Sequence, residues 1–168
     1  MLVGLPGAGK TAVGEQVARR LSAPFMDMDR TIQQRSGKSV VQIFEQDGEA
    51  SFRALEAALG AEVLGSSPAA VVSTGGGFFS DPRSRRRALE VAYVVYLETS
   101  PAKAALRLVG RSDRPLLKVA DPVRRMTELL SRRESGYLEA PGRVTTDRRT
   151  VDEVADEVLE LARAHGGW

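Results

Sequence analysis

The segment from Gly4 to Thr11 constrains the fold of this chain more than any other, because it reads G-L-P-G-A-G-K-T. It satisfies the pattern G-x-x-x-x-G-K-[S/T] between a short apolar run and a helical segment that begins near Lys10. Glycines let the backbone curl so that successive N–H groups point at phosphate oxygens, and the helix presents its positive end to the same anion. Lys10 is expected to reach the β- and γ-phosphates, and Thr11 to ligate Mg²⁺. The motif predicts phosphate binding but does not identify the acceptor or exclude water as the acceptor.

Short apolar runs rich in Val and Tyr alternate with longer helical segments, which predicts a parallel sheet covered by helices and an α/β fold. The predicted strands are Met1–Val3, Pro24–Met26, Ala69–Ser73, Ala92–Leu97 and Arg143–Thr146. The first is unusually short for a buried central strand, and a trimmed or misassigned N-terminus is one explanation.

Helix starts are marked by capping residues. Asp81, Ser100 and Asp121 each precede a proline, the residue suited to the first helical position. Thr150 with Glu153 forms a predicted capping box for the last helix.

A long segment, residues 30–64, separates the second and third predicted strands. It looks mostly helical, with interruptions at Gly37 and Gly48, and is too long for a plain crossover between strands. We interpret it as a helical insertion that holds the acceptor, within a single domain spanning residues 1–168.

Composition excludes several classes of protein. The chain is 42% hydrophobic and 27% charged, has no cysteine, and contains no apolar run near the roughly 20 residues that span a bilayer. Its N-terminus lacks the features of a signal peptide, so a soluble, cytoplasmic protein is expected. Arg85–Arg87 and Arg124–Arg125 are basic clusters, but a net charge of only +2 favours solvated helix faces over nucleic-acid binding.

Two carboxylates follow the second predicted strand. Asp27 and Asp29 have i, i+2 spacing, so their side chains point the same way if the strand geometry persists. One carboxylate would then hold Mg²⁺ through water while the other accepts a proton or hydrogen bond from an attacking hydroxyl. The alternative, that both are ordinary capping or surface acids, is equally compatible with the pair alone.

Three further segments are candidates for the acceptor side. Gly75–Gly77 follows the third strand, where three glycines favour close approach of the backbone to a ligand over a bare turn. Arg53 and Glu56 share a helix face, which by itself favours a surface ion pair. The polar segment Arg111–Leu117 has the character of a lid that would bring Arg114 over a phosphoryl group, although taken alone a solvated loop is the better interpretation.

These segments, in this order and spacing, resemble the shikimate kinase family over nearly the whole chain. The matching elements are the phosphate loop, a D-x-D pair, a G-E-x-x-F-R-x-x-E helix, a G-G-G turn, an R-P-L-L lid and an R-x-x-x-Y element. They correspond here to Gly4–Thr11; Asp27 and Asp29; Gly48, Glu49, Phe52, Arg53 and Glu56; Gly75–Gly77; Arg114–Leu117; and Arg133 with Tyr137.

The resemblance implies a three-layer α/β/α P-loop NTPase core with a five-stranded parallel sheet, the helical insertion at 30–64 and a lid at 108–120. It implies a monomeric, cytoplasmic kinase that uses ATP and one Mg²⁺ per subunit to phosphorylate the 3-hydroxyl of shikimate, with no nucleic-acid or membrane partner.

The resemblance also assigns the site residues. It implies catalytic roles for Lys10, Asp29 and Arg114, and Mg²⁺ binding by Thr11 and Asp27. Shikimate would be bound by Asp29, Arg53, Gly75, Gly76, Gly77 and Arg133, with the two arginines on its carboxylate. ATP would be bound by Gly7, Ala8, Gly9, Lys10, Thr11, Ala12, Arg107, Arg114 and Arg148, with Arg107 and Arg148 packing on adenine.

The chain departs from the family pattern at three places. Gln33 replaces a usual Glu, Val151 replaces a common proline of the adenine loop, and Glu134-Ser135-Gly136 replaces the usual Asn/Ala-Pro-Leu. Two rival functions remain at this stage. A gluconate kinase would not need paired arginines for a carboxylate, and a non-catalytic nucleotide-binding regulator would not need intact Lys10 and Asp29.

Overall fold

The computed structural model describes residues 1–65, 69–109 and 120–167. In these residues a five-stranded, all-parallel sheet has the order β2-β3-β1-β4-β5. Its strands are β1 (Leu2–Val3), β2 (Phe25–Asp27), β3 (Val71–Ser73), β4 (Val95–Glu98) and β5 (Gly142–Thr145). Each coincides within a few residues with a predicted strand, so the α/β class is confirmed.

The described residues also contain eight α-helices and one short 3₁₀ helix, and all but the last α-helix lie between two strands. The α-helices are α1 (Lys10–Leu21), α2 (Met28–Ser36), α3 (Val40–Gln46), α4 (Gly48–Gly65), α5 (Pro82–Val91), α6 (Pro101–Leu108), α7 (Pro122–Tyr137) and α8 (Val151–His165). The 3₁₀ helix, Phe78–Ser80, lies between β3 and α5. In this part of the chain no helix is long and apolar enough to cross a membrane.

Alternation along the strands divides the core into two layers. Leu2 packs in a cluster with α1 and α8, whereas its neighbour Val3 packs with α2–α7 on the opposite face. Val95 and Leu97 likewise lie in the first cluster, and Tyr96 between them lies in the second. This period of two buries both faces of the sheet, as parallel sheets require, and confirms the three-layer arrangement.

The central strand β1 pairs with β3 on one side and β4 on the other. The strand order therefore reverses at β1, and the crevice outside the carboxyl ends of strands at such a switch point is the usual ligand site of open α/β sheets. The loop from Gly4 to Gly9, which follows β1, lies at this crevice.

The predicted helix starts are confirmed by their caps. The side chains of Asp81, Ser100 and Asp121 accept hydrogen bonds from the backbone N–H three residues on, at 2.7, 3.3 and 2.9 Å, and a proline follows each. Thr150 and Glu153 form the predicted capping box.

Helices α2, α3 and α4 occupy the connection between β2 and β3, with breaks at the two predicted glycines. Gly37 ends α2 at φ 67°, and Gly48 begins α4 at φ 84°. Both values lie in the left-handed region that glycine adopts without a steric penalty.

The arginine clusters differ in their exposure. Arg86 and Arg124 are 84% and 79% exposed, and each pairs with a glutamate one turn along its helix. Arg85 is only 20% exposed, because it binds Glu139 and the carbonyl of Phe79. The predicted solvated face therefore describes Arg86 and Arg124 but not Arg85.

Helix α4 packs against the 3₁₀ helix where Gly60 faces the buried ring of Phe78, and a Cβ at Gly60 would overlap that ring. We expect Gly60→Ala to lower the free energy of unfolding by about 1–3 kcal/mol through overpacking, although alanine favours helix. Gly65→Ala is the matched control, because no atom of the described residues lies within 4 Å of a Cβ there. Urea denaturation measures both, and equal stabilities for the two variants would contradict the packing.

Candidate active site

The phosphate loop is shaped by glycines that no other residue could replace without strain. Gly4, Gly7 and Gly9 have φ values of 142°, 84° and 93°. A Cβ at Gly4 would also lie 2.6 Å from the carbonyl oxygen of Leu97, and one at Gly7 would lie 2.5 Å from that of Ala104. The loop is therefore packed against the end of β4 and against α6, with α1 beginning directly after Gly9.

Lys10 lies inside this loop with only 8% of its surface exposed. Its Nζ donates hydrogen bonds of 2.9 Å to the carbonyl oxygens of Gly4 and Leu5. The ammonium is thus positioned against the backbone that would surround a phosphate, beside the positive end of α1.

Thr11 and Asp27 meet across the crevice. The Thr11 hydroxyl donates to Oδ2 of Asp27 at 2.6 Å, and Oδ1 of Asp27 accepts from the backbone N–H of Arg30 at 3.1 Å. Asp27 is therefore both the last residue of β2 and the N-cap of α2.

The strand geometry assumed for Asp27 and Asp29 does not persist, because the cap at Asp27 starts α2 immediately at Met28. Asp29 instead occupies the first turn of α2. The two carboxylates nevertheless line one cavity of about 790 Å³, together with Lys10 and Thr11. The predicted juxtaposition is found, but by a strand-to-helix turn rather than by strand alternation.

Arg107 also lines this cavity. Its guanidinium donates to the carbonyl and hydroxyl oxygens of Thr146 at 2.7 and 2.9 Å, and to the carbonyl of Gly7 at 3.3 Å. Arg148 is exposed at φ 59° and is not among the lining residues, whereas its neighbour Arg149 is. Sequence reasoning did not single out Arg149, and the adjacent pair of arginines was the only signal for it.

Arg53 and Glu56 form an ion pair of 2.7 Å, but it is not the surface pair that their spacing alone suggests. Glu56 is 2% exposed, and in the described residues its Oε1 has no hydrogen-bond partner. Arg53 also binds Glu49 at 3.0 Å. Burial raises the pKa of the Glu56 carboxyl, and the positive charge of Arg53 opposes this.

The glycines after β3 bring the backbone against the charged side chains. A Cβ at Gly75 would overlap Oε1 of Glu56 and lie 2.8 Å from Oδ1 of Asp29, and a Cβ at Gly77 would overlap the Arg53 guanidinium. The backbone of this turn therefore does approach other groups closely, whereas its predicted approach to a ligand stays a prediction. The groups that it approaches are side chains of the candidate site.

Gly76, which lies between these two glycines, contacts both helix α7 and the phosphate loop. Its carbonyl oxygen accepts hydrogen bonds from Arg133 at 2.9 Å and from the Tyr137 hydroxyl at 2.6 Å. A Cβ on Gly76 would lie 2.9 Å from Cδ of Pro6 in the phosphate loop. A second cavity of about 880 Å³ is lined by Arg53, Arg133 and Gly77.

The remaining predicted parts are only partly described. Arg114 and nearly all of the predicted lid at 108–120 lie outside the described residues, within which α6 ends at Leu108. Two of the residues that depart from the family pattern lie near the first cavity or its helices. The side chain of Gln33 accepts a 3.3 Å hydrogen bond from the backbone N–H of Val40, and Val151 lines the first cavity. Gly136 is buried, and a Cβ at this position would lie close to the Arg85 guanidinium and to the carbonyl oxygen of Phe79.

The donor set of the crevice suits a small hard cation. No group of three or more metal-ligating His, Cys, Asp or Glu side chains occurs in the described ranges. Mg²⁺, however, usually takes only one or two protein oxygens and completes its shell with water and substrate phosphates. The Thr11 hydroxyl and Asp27 carboxylate, beside the phosphate loop, fit that requirement.

Comparison with known proteins identifies relatives of this chain. The family model for shikimate kinase matches residues 6–163. The shikimate kinase of Paracidovorax citrulli is 42% identical over 149 residues, covering 88% of this chain and 81% of that protein. The structure of shikimate kinase from Acinetobacter baumannii in complex with shikimate superposes with a TM-score of 0.92 at 34% identity, covering 97% of this chain and 91% of that one.

A gluconokinase structure from Sinorhizobium meliloti superposes with a TM-score of 0.61 at 21% identity, covering 97% of this chain and 90% of the other. At that identity the likeness shows a shared fold alone.

The buried Glu56 gives a testable pH dependence. Because its folded-state pKa is raised, its contribution to the free energy of unfolding is fully present below the ordinary value of 4.5 and is lost as the pH rises through the folded-state pKa. Wild type should therefore lose stability relative to Glu56→Gln as the pH increases, which urea denaturation between about pH 4 and pH 8 measures.

Glu62→Gln is a control for which the change in relative stability with pH should have the opposite sign, because the hydrogen bond from Arg35 lowers the pKa of Glu62. Wild type should gain stability relative to this variant as the pH rises from the folded-state pKa of Glu62 to the ordinary value of 4.5, so the urea series for this control extends below pH 4.5. The same sign for both variants would contradict the assigned environments.

Proposed function

This chain belongs to the shikimate kinase family, and from that premise we propose that it transfers the γ-phosphoryl group of ATP to the 3-hydroxyl of shikimate. The products are shikimate 3-phosphate and ADP. The observation that supports this most is the placement of Asp29 in one cavity with the phosphate loop, while the neighbouring Gly75–Gly77 turn contacts Arg53 and Arg133.

Each end of the acceptor would be recognised by its own chemistry. Shikimate is a cyclic triol with a carboxylate, and two guanidinium groups suit a carboxylate through paired, charge-assisted hydrogen bonds. Arg53 and Arg133 would hold that carboxylate, with Gly75, Gly76 and Gly77 lining the pocket and Asp29 facing the 3-hydroxyl. Helices α2–α4, within residues 30–64, would form the acceptor-binding part, and residues 108–120 the lid.

Transfer then requires few groups. The 3-hydroxyl oxygen forms a bond to the γ-phosphorus, the bond from that phosphorus to the bridging oxygen of ADP breaks, and the hydroxyl proton passes to Asp29. Because the transition state is loose in most analyses, Asp29 orients the hydroxyl first and takes the proton late. Lys10 and Arg114 stabilise charge on the phosphoryl oxygens.

The nucleotide side is proposed on the same basis. Gly7, Ala8, Gly9, Thr11 and Ala12 would bind phosphates, and Arg107 would pack on adenine with Arg148 or the neighbouring Arg149. Thr11 and Asp27 would hold one Mg²⁺, which when bound neutralises phosphate charge. From family membership we expect a monomer in the cytoplasm, and analytical ultracentrifugation checks the monomer.

A coupled assay of ADP formation tests the substrate. With MgATP, turnover is expected with shikimate and neither with gluconate nor without an acceptor. Turnover with gluconate, or equal ADP formation without acceptor, would contradict the proposal.

The role of Asp29 is tested by Asp29→Asn. We expect kcat to fall on the order of 10²-fold, because the amide cannot take the proton, while calorimetry still detects shikimate binding. Asp156→Asn, which alters an exposed carboxylate on α8, is the control. Near-normal turnover of Asp29→Asn with intact binding would show that the assignment is wrong.

The role of Arg114 is tested by Arg114→Ala. We expect kcat to fall on the order of 10²-fold with little change in shikimate affinity, since the lid arginine would act on charge in the transition state. Arg124→Ala removes an exposed arginine of α7 and should leave kcat unchanged. A loss confined to KM for shikimate would contradict the role.

A further inference from the structure

The hydroxyl of Tyr137 bonds to the same atom that anchors Arg133. Tyr137 donates to the carbonyl oxygen of Gly76 at 2.6 Å, and Arg133 donates to it at 2.9 Å. The two residues are four apart on α7 and so lie on one face of that helix. A carbonyl oxygen has two lone pairs, and both hydrogen bonds can form at once.

Tyr137 is itself held firmly. Its side chain is among the largest fully buried ones, and its ring stacks on Tyr96 with centroids 5.0 Å apart. Burial raises the pKa of the Tyr137 phenol to about 12, so the hydroxyl stays protonated and remains a donor at neutral pH.

Gly76 has little room to shift towards its other neighbours. A Cβ there would lie 2.9 Å from Cδ of Pro6 and 3.3 Å from the Arg133 guanidinium. The backbone of Gly76 is therefore held between the phosphate loop and α7. Its carbonyl oxygen accepts a hydrogen bond from the Arg133 guanidinium in this position.

We propose that Tyr137 is a positioning residue for the acceptor: its hydroxyl fixes the Gly76 carbonyl, and that carbonyl orients Arg133 for the substrate carboxylate. This inference rests on the proposed function of Arg133. Paired hydrogen bonds between a guanidinium and a carboxylate depend on orientation, so a binding site loses affinity when its supporting contact is removed. Tyr137 itself need not touch the substrate.

The chain offers a matched pair of variants. Tyr137→Phe and Tyr96→Phe each remove one hydroxyl from the same stacked, buried pair of rings, but only Tyr137 bonds to Gly76. With MgATP and shikimate, we expect Tyr137→Phe to raise KM for shikimate about 3- to 10-fold, the range of one ordinary hydrogen bond. Its kcat and its KM for ATP should stay within about twofold of wild type, and Tyr96→Phe should leave all three parameters within that range.

A double-mutant cycle tests whether the effect passes through Arg133. Against Arg133→Lys, Tyr137→Phe should have little further effect on shikimate affinity measured by calorimetry, whereas independent effects would add.

Three results would overturn the inference. These are an equal rise in KM for shikimate in Tyr96→Phe, a parallel rise in KM for ATP in Tyr137→Phe, and full additivity with Arg133→Lys. A wild-type protein without shikimate-dependent turnover would instead overturn the proposed function, and this inference with it.

Discussion

The close contact between the Gly75–Gly77 backbone and four charged side chains is the constraint on which the candidate site depends. Each glycine leaves room that a side chain would fill: Gly75 for Glu56 and Asp29, Gly76 for Pro6 and Arg133, and Gly77 for Arg53. The end of β3 thereby holds together the phosphate loop, the turn into α2, helix α4 and helix α7. An alanine at Gly75 or Gly77 would overlap Glu56 or Arg53 and so force apart elements that, under the proposed function, act on one acceptor.

This arrangement places charges where they contribute little to stability. A buried carboxylate such as Glu56 carries a desolvation cost that even a close ion pair seldom offsets fully. In a binding site this desolvation cost is offset by a gain in preorganisation, because fixed and partly desolvated arginines need little reorganisation when an anion binds. Lys10, 8% exposed inside the phosphate loop, follows the same principle on the nucleotide side.

Local patterns allowed much of this structure to be predicted. The phosphate loop, strand positions, helix caps and breaks at Gly37 and Gly48 depend on residues close in sequence. Predictions failed where a distant contact decides the outcome. Spacing suggests a surface pair for Arg53 and Glu56, but packing against Gly75 buries Glu56. The shared bonds to Gly76 join residues 57 and 61 positions apart, a separation that no local pattern encodes.

The central claim is that two cavities, one beside the phosphate loop and Asp29 and one lined by Arg53 and Arg133, together hold a phosphate donor and an anionic acceptor in line with each other. A crystal structure of the protein with shikimate, ADP and Mg²⁺ tests it most directly. We predict that the shikimate carboxylate lies between Arg53 and Arg133 and that its 3-hydroxyl faces Asp29 and the phosphate loop. A carboxylate bound away from both arginines, or a 3-hydroxyl directed away from Asp29, would contradict the account.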